Sequence, residues 1–225
     1  MRTVNGRQEL EPGDGPLLVS VGVFDGLHLG HVWLLEHLVA EARLRSVRPA
    51  VITFDAHPDA ILVGAAPPLL MDPAERLHRL AGLGVEVVVI EHFDDALRRT
   101  PYDVFVEGIR ERTALAELGR SHGFDVVLVP PFTLEGREVR SSDIRSAIAA
   151  GNLADAGRLL GRPYALTGEC DPDGILSFAM PVALPAAGQY TARIDGHPVR
   201  LMVHDGTVRL DGQRAPGRTK VELAT

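Results

Sequence analysis

One cysteine, Cys170, is all that the 225-residue chain carries, so neither an internal disulfide framework nor a cysteine-rich metal site can be built from it. A reducing, cytoplasmic setting is expected. Aromatic residues make up only 5% of the chain, which disfavours a stacking platform for single-stranded nucleic acid. An excess of positive charge is also lacking: 23 basic against 30 acidic residues give a net −7, arguing against broad electrostatic binding to nucleic acid. Basic residues must therefore act locally. No stretch of about eighteen apolar residues occurs, and MRTVNGRQELEPGDG at the N-terminus has no apolar segment of signal-peptide length, so neither export nor membrane spanning is expected.

What is present is an alternation of strand-like and helix-like segments. Residues 17–23, 49–54 and 85–90 are short β-rich runs, and 31–46 and 73–82 carry helical spacing, with Val32, Leu35, Val39 and Ala42 on one face of the first helix. Alternation of this kind predicts parallel strands joined by helical crossovers. Near-continuous apolar runs such as Val87 to Ile90 fit strands covered on both faces, whose C-terminal ends point at a ligand. The predicted class is α/β, a Rossmann-like doubly wound sheet. A helix is predicted at 102–112 and a strand at 125–129. From Tyr164 onward the period changes to short β runs at 175–182, 189–194, 198–204, 207–210 and 219–223, separated by Gly, Asp and Pro turns, which predicts a small antiparallel unit. The expected divisions are a weakly patterned lead-in at 1–16, a main domain at 17–162 and a small β domain at 163–225.

The segment VSVGVFDGLHLGH joins the first strand to the first helix through Gly26 and Gly30. A helix start offers unpaired N–H groups and a positive dipole end, and phosphate suits both. His28 and His31 flank Gly30 and can both donate to one polyphosphate; the alternative is that they are only polar residues at a helix start. In EVRSSDIRSAIAAGNLADAGRLLGRPYALTGE, Ser141 and Ser142 open a second helix, and Arg145 offers a planar, permanently charged fork to phosphate oxygens. An ordinary serine cap followed by a solvated arginine is the alternative there. Ala154, Ala156, Leu159 and Leu160 predict a packing helix ending at Gly161.

GVFDGLHLGH resembles the signature of the HxGH nucleotidyltransferases, and more closely the adenylyltransferase module of prokaryotic bifunctional FAD synthetases. The block Arg140 to Arg145 resembles that family's Ser-Ser-Thr-x-Ile-Arg motif, with Arg140 in place of the first serine and Ser142 in place of threonine. The resemblance implies an ATP site from Gly22, Phe24, Asp25, Gly26, His28, Gly30, His31, Ser141, Ser142 and Arg145, with His28, His31 and Arg145 catalytic. It implies a flavin side near Phe54, His57, Pro58 and Phe93. TFDAHPDAIL is similar to the family's phenylalanine, acid, proline, histidine, proline segment with Ala56 for the first proline; His57 either lines the nucleotide pocket or fixes loop geometry. Asp72 is expected to cap a helix with Pro73 at its first position and Arg76 to sit on a solvated helix face; Asp94 and Asp95, following a strand end with Phe93, are expected to cap, the alternative being a border of the flavin pocket.

Two departures stand out. A strand and flavin-contacting loop of the family are absent near Ala116. The C-terminal unit shares only GQYTARI with the family's riboflavin kinase barrel, lacks its proline-threonine-alanine-asparagine motif in ILSFAMPVALP, and ends before a later catalytic acid, so it reads as truncated and without kinase activity. The implied reaction is adenylyl transfer from ATP to FMN, giving FAD and pyrophosphate, with Mg²⁺ carried mostly by substrate and water and no protein metal site. The expected partners are small molecules, not nucleic acid or membrane, and the sequence sets no oligomeric state. Three other readings stay open: a non-catalytic nucleotide or flavin sensor, nucleotide transfer to another small phosphate, and a zinc hydrolase using His28, His31 and His57.

Overall fold

A computed structural model describes residues 1–100, 129–212 and 215–224. The helix expected at 102–112, most of the strand at 125–129 and the departure near Ala116 lie outside the described residues. The described chain forms two units. One gathers Met1–Phe24, His31–Pro67 and Leu77–Pro131; the other gathers Asp25–Gly30, Pro68–Arg76 and Phe132–Thr225.

The first unit is a parallel α/β sheet. Its strands are β1 (Arg2–Asn5), β2 (Leu17–Val21), β3 (Arg48–Phe54) and β4 (Val87–Glu91), in the spatial order β1-β4-β3-β2. Val19 pairs with Ala50, Ile52 with Val89, and Val4 with that same Val89 from the far side. Because side chains alternate along a strand, Ala50, Ile52, Val87 and Val89 join Val4, Leu10 and Leu17 in one cluster, while Val51 and Val88 are buried on the opposite face. That is why these strands read as continuous apolar runs. Helix α1 (Leu29–Leu44) follows β2 and buries Leu35, Leu38, Val39 and Ala42. Strand β1 lies within the stretch read as a weakly patterned lead-in. Four residues with a single buried side chain, Val4, give too short an alternation to signal a strand, and pairing with β4 creates it.

Three short helices follow in chain order: α2 (Asp59–Leu62), α3 (Pro73–Gly82) and α4 (Asp95–Arg99). Asp72 accepts from the backbone N–H groups of Ala74 and Glu75, and Asp94 from that of Leu97, as the capping pattern predicts.

The second unit holds a small hairpin, β5 (Thr133–Leu134) with β6 (Arg137–Glu138), then helices α5 (Ser141–Ala149) and α6 (Leu153–Leu160) and a six-stranded barrel. The barrel strands are β7 (Ala165–Cys170), β8 (Ile175–Ser177), β9 (Gly188–Ile194), β10 (His197–His204), β11 (Thr207–Leu210) and β12 (Gly217–Leu223). They close in the order β10-β11-β8-β7-β12-β9, with every pair antiparallel. Alternate residues fill the interior, among them Leu166, Cys170, Val199, Leu201, Val203, Val208 and Leu210. Asp195-Gly196 and Asp205-Gly206 have φ of 50° and 80°, then 47° and 75°, the doubly left-handed geometry of two-residue hairpins.

The antiparallel β unit expected in the tail is a closed barrel. It needs β7, which the sequence reading lacked, and its second strand stops at Ser177 and not at residue 182. In α6 the buried positions are Leu153, Ala156, Gly157 and Leu160, while Ala154 is exposed. Two ion pairs bind β12 to the first turn of α3: Lys220 to Glu75 at 2.8 Å and Arg218 to Asp72 at 2.6 Å. Among the described residues, no helix is long and apolar enough to cross a membrane.

Candidate active site

The turn after β2 is the most constrained backbone in the molecule's motif region. Phe24, Gly26 and Leu27 have φ of 53°, 77° and 38°, all in the left-handed region. Glycine takes such a φ freely, but for Phe24 and Leu27 it costs roughly 1–2 kcal/mol each. Both side chains are 1% exposed, so burial offsets the strain. A Cβ on Gly26 would also lie 3.0 Å from the Leu70 Cβ, which leaves no room for a larger residue.

Asp25 is the hub of the turn. Its carboxylate is 4% exposed, accepts the Leu70 N–H at 3.0 Å on both oxygens, and pairs with Arg145 Nη2 at 2.6 Å. Arg145 also donates from Nε to the Pro68 carbonyl at 2.8 Å. The Ser141 hydroxyl donates to the Asp25 carbonyl at 3.4 Å. The two motifs read from sequence, 120 positions apart at Asp25 and Arg145, therefore meet within one unit. Arg145 is bonded into the turn and is not a solvated arginine of an isolated helix face.

His28 follows the turn and precedes α1. Burial lowers its imidazole from an ordinary 6.5 to about 4, with the Arg162 charge adding to the effect, so the ring is neutral at pH 7. A Cβ on Gly30 would sit 3.2 Å from this ring, so that glycine makes room for His28 itself. Gly30 and His31 lie in the first turn of α1, two residues earlier than the helix start expected at His31. In the first unit the His31 ring stands edge-on to Phe24, with centroids 5.3 Å apart. Ser141 and Ser142 are the first residues of α5, after Arg140 in extended conformation.

Arg76 corrects the sequence reading. It is 8% exposed, and burial pulls its guanidinium below the ordinary value, with the Asp25 charge acting in the opposite direction. Helical spacing could not reveal this, because the charge that faces Arg76, Asp25, is distant in sequence. Arg162 was missed altogether, although its place directly after the helix-ending Gly161 was visible; it donates to the carbonyls of Gly26 and Leu27.

The residues expected on the flavin side belong to the first unit. Phe54 and Phe93 meet edge to face at 5.2 Å. His57 Nδ1 accepts the Asp59 N–H at 3.2 Å, the geometry of a residue that shapes its own loop. Nearby, Asp55 pairs with His92 at 2.5 Å and accepts the Phe93 N–H at 3.3 Å. Among the described residues, no three His, Cys, Asp or Glu side chains gather to hold a metal ion.

Comparison with known proteins identifies the family. A family model described as FAD synthetase matches residues 11–113. A protein of Geobacillus thermodenitrificans, provisionally named bifunctional riboflavin kinase/FMN adenylyltransferase, is 31% identical over 166 residues, 65% of this chain and 90% of that one. The chain belongs to this family. The bifunctional riboflavin kinase/FMN adenylyltransferase of Escherichia coli K12, also 31% identical, aligns over 194 residues, 75% of this chain; the match spans 62% of that family member's length. A crystal structure titled as a macrolide-efflux protein from Streptococcus pneumoniae matches 98% of the chain and 96% of its own, with a TM-score of 0.76 and 23% identity, a likeness of fold alone.

Proposed function

We propose that the chain transfers the adenylyl group of ATP to FMN. A phosphate oxygen of FMN attacks the α-phosphorus of ATP, the bond to the β,γ-phosphates breaks, and FAD and pyrophosphate leave. The observation that carries this reading is the union of the two motifs at Asp25, Ser141 and Arg145, in a chain whose family relatives are named for the same transfer.

In this reading residues 17–162 supply the nucleotidyltransferase function. The start of α1 and the start of α5 offer backbone N–H groups to the triphosphate. His28 and His31 donate from their rings, Ser141 and Ser142 from their hydroxyls, and Arg145 from the guanidinium hydrogens that Asp25 and Pro68 leave available. The glycines and Phe24 shape the turn. The step asks little covalent chemistry of the protein, so alignment and charge compensation carry the rate. Asp25 is already engaged by Leu70 and Arg145, which fits a Mg²⁺ carried in on the triphosphate and water; bound there it would neutralise phosphate charge. Phe54, His57, Pro58 and Phe93 are assigned to the flavin side.

The proposed activity stops at adenylyl transfer, because residues 175–185 lack the proline-threonine-alanine-asparagine motif that the resemblance associates with the kinase. Incubation with ATP, Mg²⁺ and either FMN or riboflavin, followed by separation of the flavins, tests both statements. FAD from FMN and no FMN from riboflavin is the expected result. FMN from riboflavin would restore the kinase, and unchanged FMN would favour the sensor.

A further inference from the structure

We propose that Arg162 is a positioning residue for the triphosphate cradle, its guanidinium fork locking the Gly26–Leu27 turn that presents His28 and the start of α1. The proposal deepens the adenylyl-transfer reading and rests on it for the identity of the anion.

Arg162 stands where a fork can do this. Gly161 closes α6 in the left-handed conformation, φ 71°, and the chain turns there so that the Arg162 N–H bonds back to the Gly157 carbonyl at 3.1 Å. From that anchored position Nη1 donates to the Leu27 carbonyl at 3.0 Å and to the Leu160 carbonyl at 3.1 Å, while Nη2 donates to the Gly26 carbonyl. One planar group thus ties the end of α6 to two consecutive carbonyls of the turn. Those two residues precede α1, so its hydrogen-bond ladder does not hold them. They also carry the left-handed φ values, and a strained backbone persists only where its surroundings over-determine it. The same side chain contributes charge beside His28, which burial and Arg162 together keep neutral.

Fork and charge are separable. Lysine keeps the charge, but its single ammonium nitrogen cannot reproduce two diverging N–H groups on two carbonyls. Methionine removes both. The experiment compares wild type, Arg162→Lys and Arg162→Met by calorimetric titration with inorganic tripolyphosphate, alongside FAD formation from ATP and FMN, melting temperature and an NMR titration of the His28 ring.

Both variants are expected to melt within a few degrees of wild type and to bind tripolyphosphate at least tenfold more weakly. The His28 titration should rise in Arg162→Met and stay near wild type in Arg162→Lys, which reports that lysine keeps the charge in place while the fork is lost. Affinity within twofold of wild type in Arg162→Lys would overturn the proposal, since charge alone would then suffice. Unfolding of both variants would overturn it too, making Arg162 a residue of the fold. Absence of FAD from a wild type that binds tripolyphosphate, with binding weakened in both variants, would contradict the FMN reading while supporting the role of Arg162.

Discussion

Two aspartates follow neighbouring parallel strands, and their surroundings make them different devices. Asp25 comes after β2, is buried, and is bonded by Arg145 and the Leu70 N–H within a strained turn. Asp55 comes directly after β3, is partly exposed, and pairs with a His92 that is open to water. Water screens the second pair, so its geometry contributes little to stability and can adjust. At Asp25 solvent cannot replace a lost partner, and removing one side of the pair strands the other. The contrast teaches that the motif turn is held by buried partners that solvent cannot replace, whereas the Asp55–His92 pair after β3 is left to water.

The largest expected effect is on Asp25→Ala. It leaves Arg145, 16% exposed, without its carboxylate and the Leu70 N–H without an acceptor. A loss of about 3–5 kcal/mol is expected, read by urea unfolding, with a smaller loss for Asp25→Asn, which keeps an acceptor for Leu70. Near-native stability of Asp25→Ala would erase the distinction between the two aspartates.

Acid should act next, through His28. Its folded-state value near 4 lies below the ordinary 6.5, so the unfolded chain takes up the proton first. The stability due to the neutral ring is therefore complete above about pH 6.5 and is lost as pH falls toward 4, by up to about 3 kcal/mol. Carboxylates titrate in the same range, so the measurement is the difference between wild type and His28→Asn at pH 7 and pH 4.5. An equal acid loss in both would refute the assignment.

The smallest effect belongs to Asp55. The hydrogen bond and charge of Asp55 raise the His92 imidazole above its ordinary value; burial pushes Asp55 up, but His92 and backbone N–H donors hold it below normal overall. Asp55→Asn should return the His92 titration, followed by NMR, toward 6.5 without a measurable change in melting temperature. Any stability from this raised histidine would be present at low pH and fade as pH rises through its titration, but exposure leaves little of it. A clear drop in melting temperature would mean that this edge is as rigid as the motif turn.

Local chemistry made much of this legible before the structure. Alternating segments announced the parallel sheet, Asp72-Pro73 and Asp94 announced helix starts, and short β runs between Gly, Asp and Pro turns announced the antiparallel unit. The two motif segments assigned to the triphosphate were readable because each is contiguous. What was illegible is long-range. The burial of Arg76, the Asp25–Arg145 pair and the grip of Arg162 depend on segments that meet only after folding. Strand β1 and barrel strand β7 also escaped, one too short and the other broken by Gly168, so that pairing partners and not periodicity define them.

The most direct test of the central claim follows FAD formation from ATP and FMN in wild type and His31→Ala, with melting temperature measured on both. His31 belongs to the first turn of α1 directly after the rigid turn, and its assigned partner is phosphate. Wild type should form FAD, and His31→Ala should lose roughly 10²–10³-fold in turnover, the scale of a lost transition-state donor, while melting within a few degrees of wild type. No FAD from wild type, or a variant that keeps its activity while melting several degrees lower, would contradict the account.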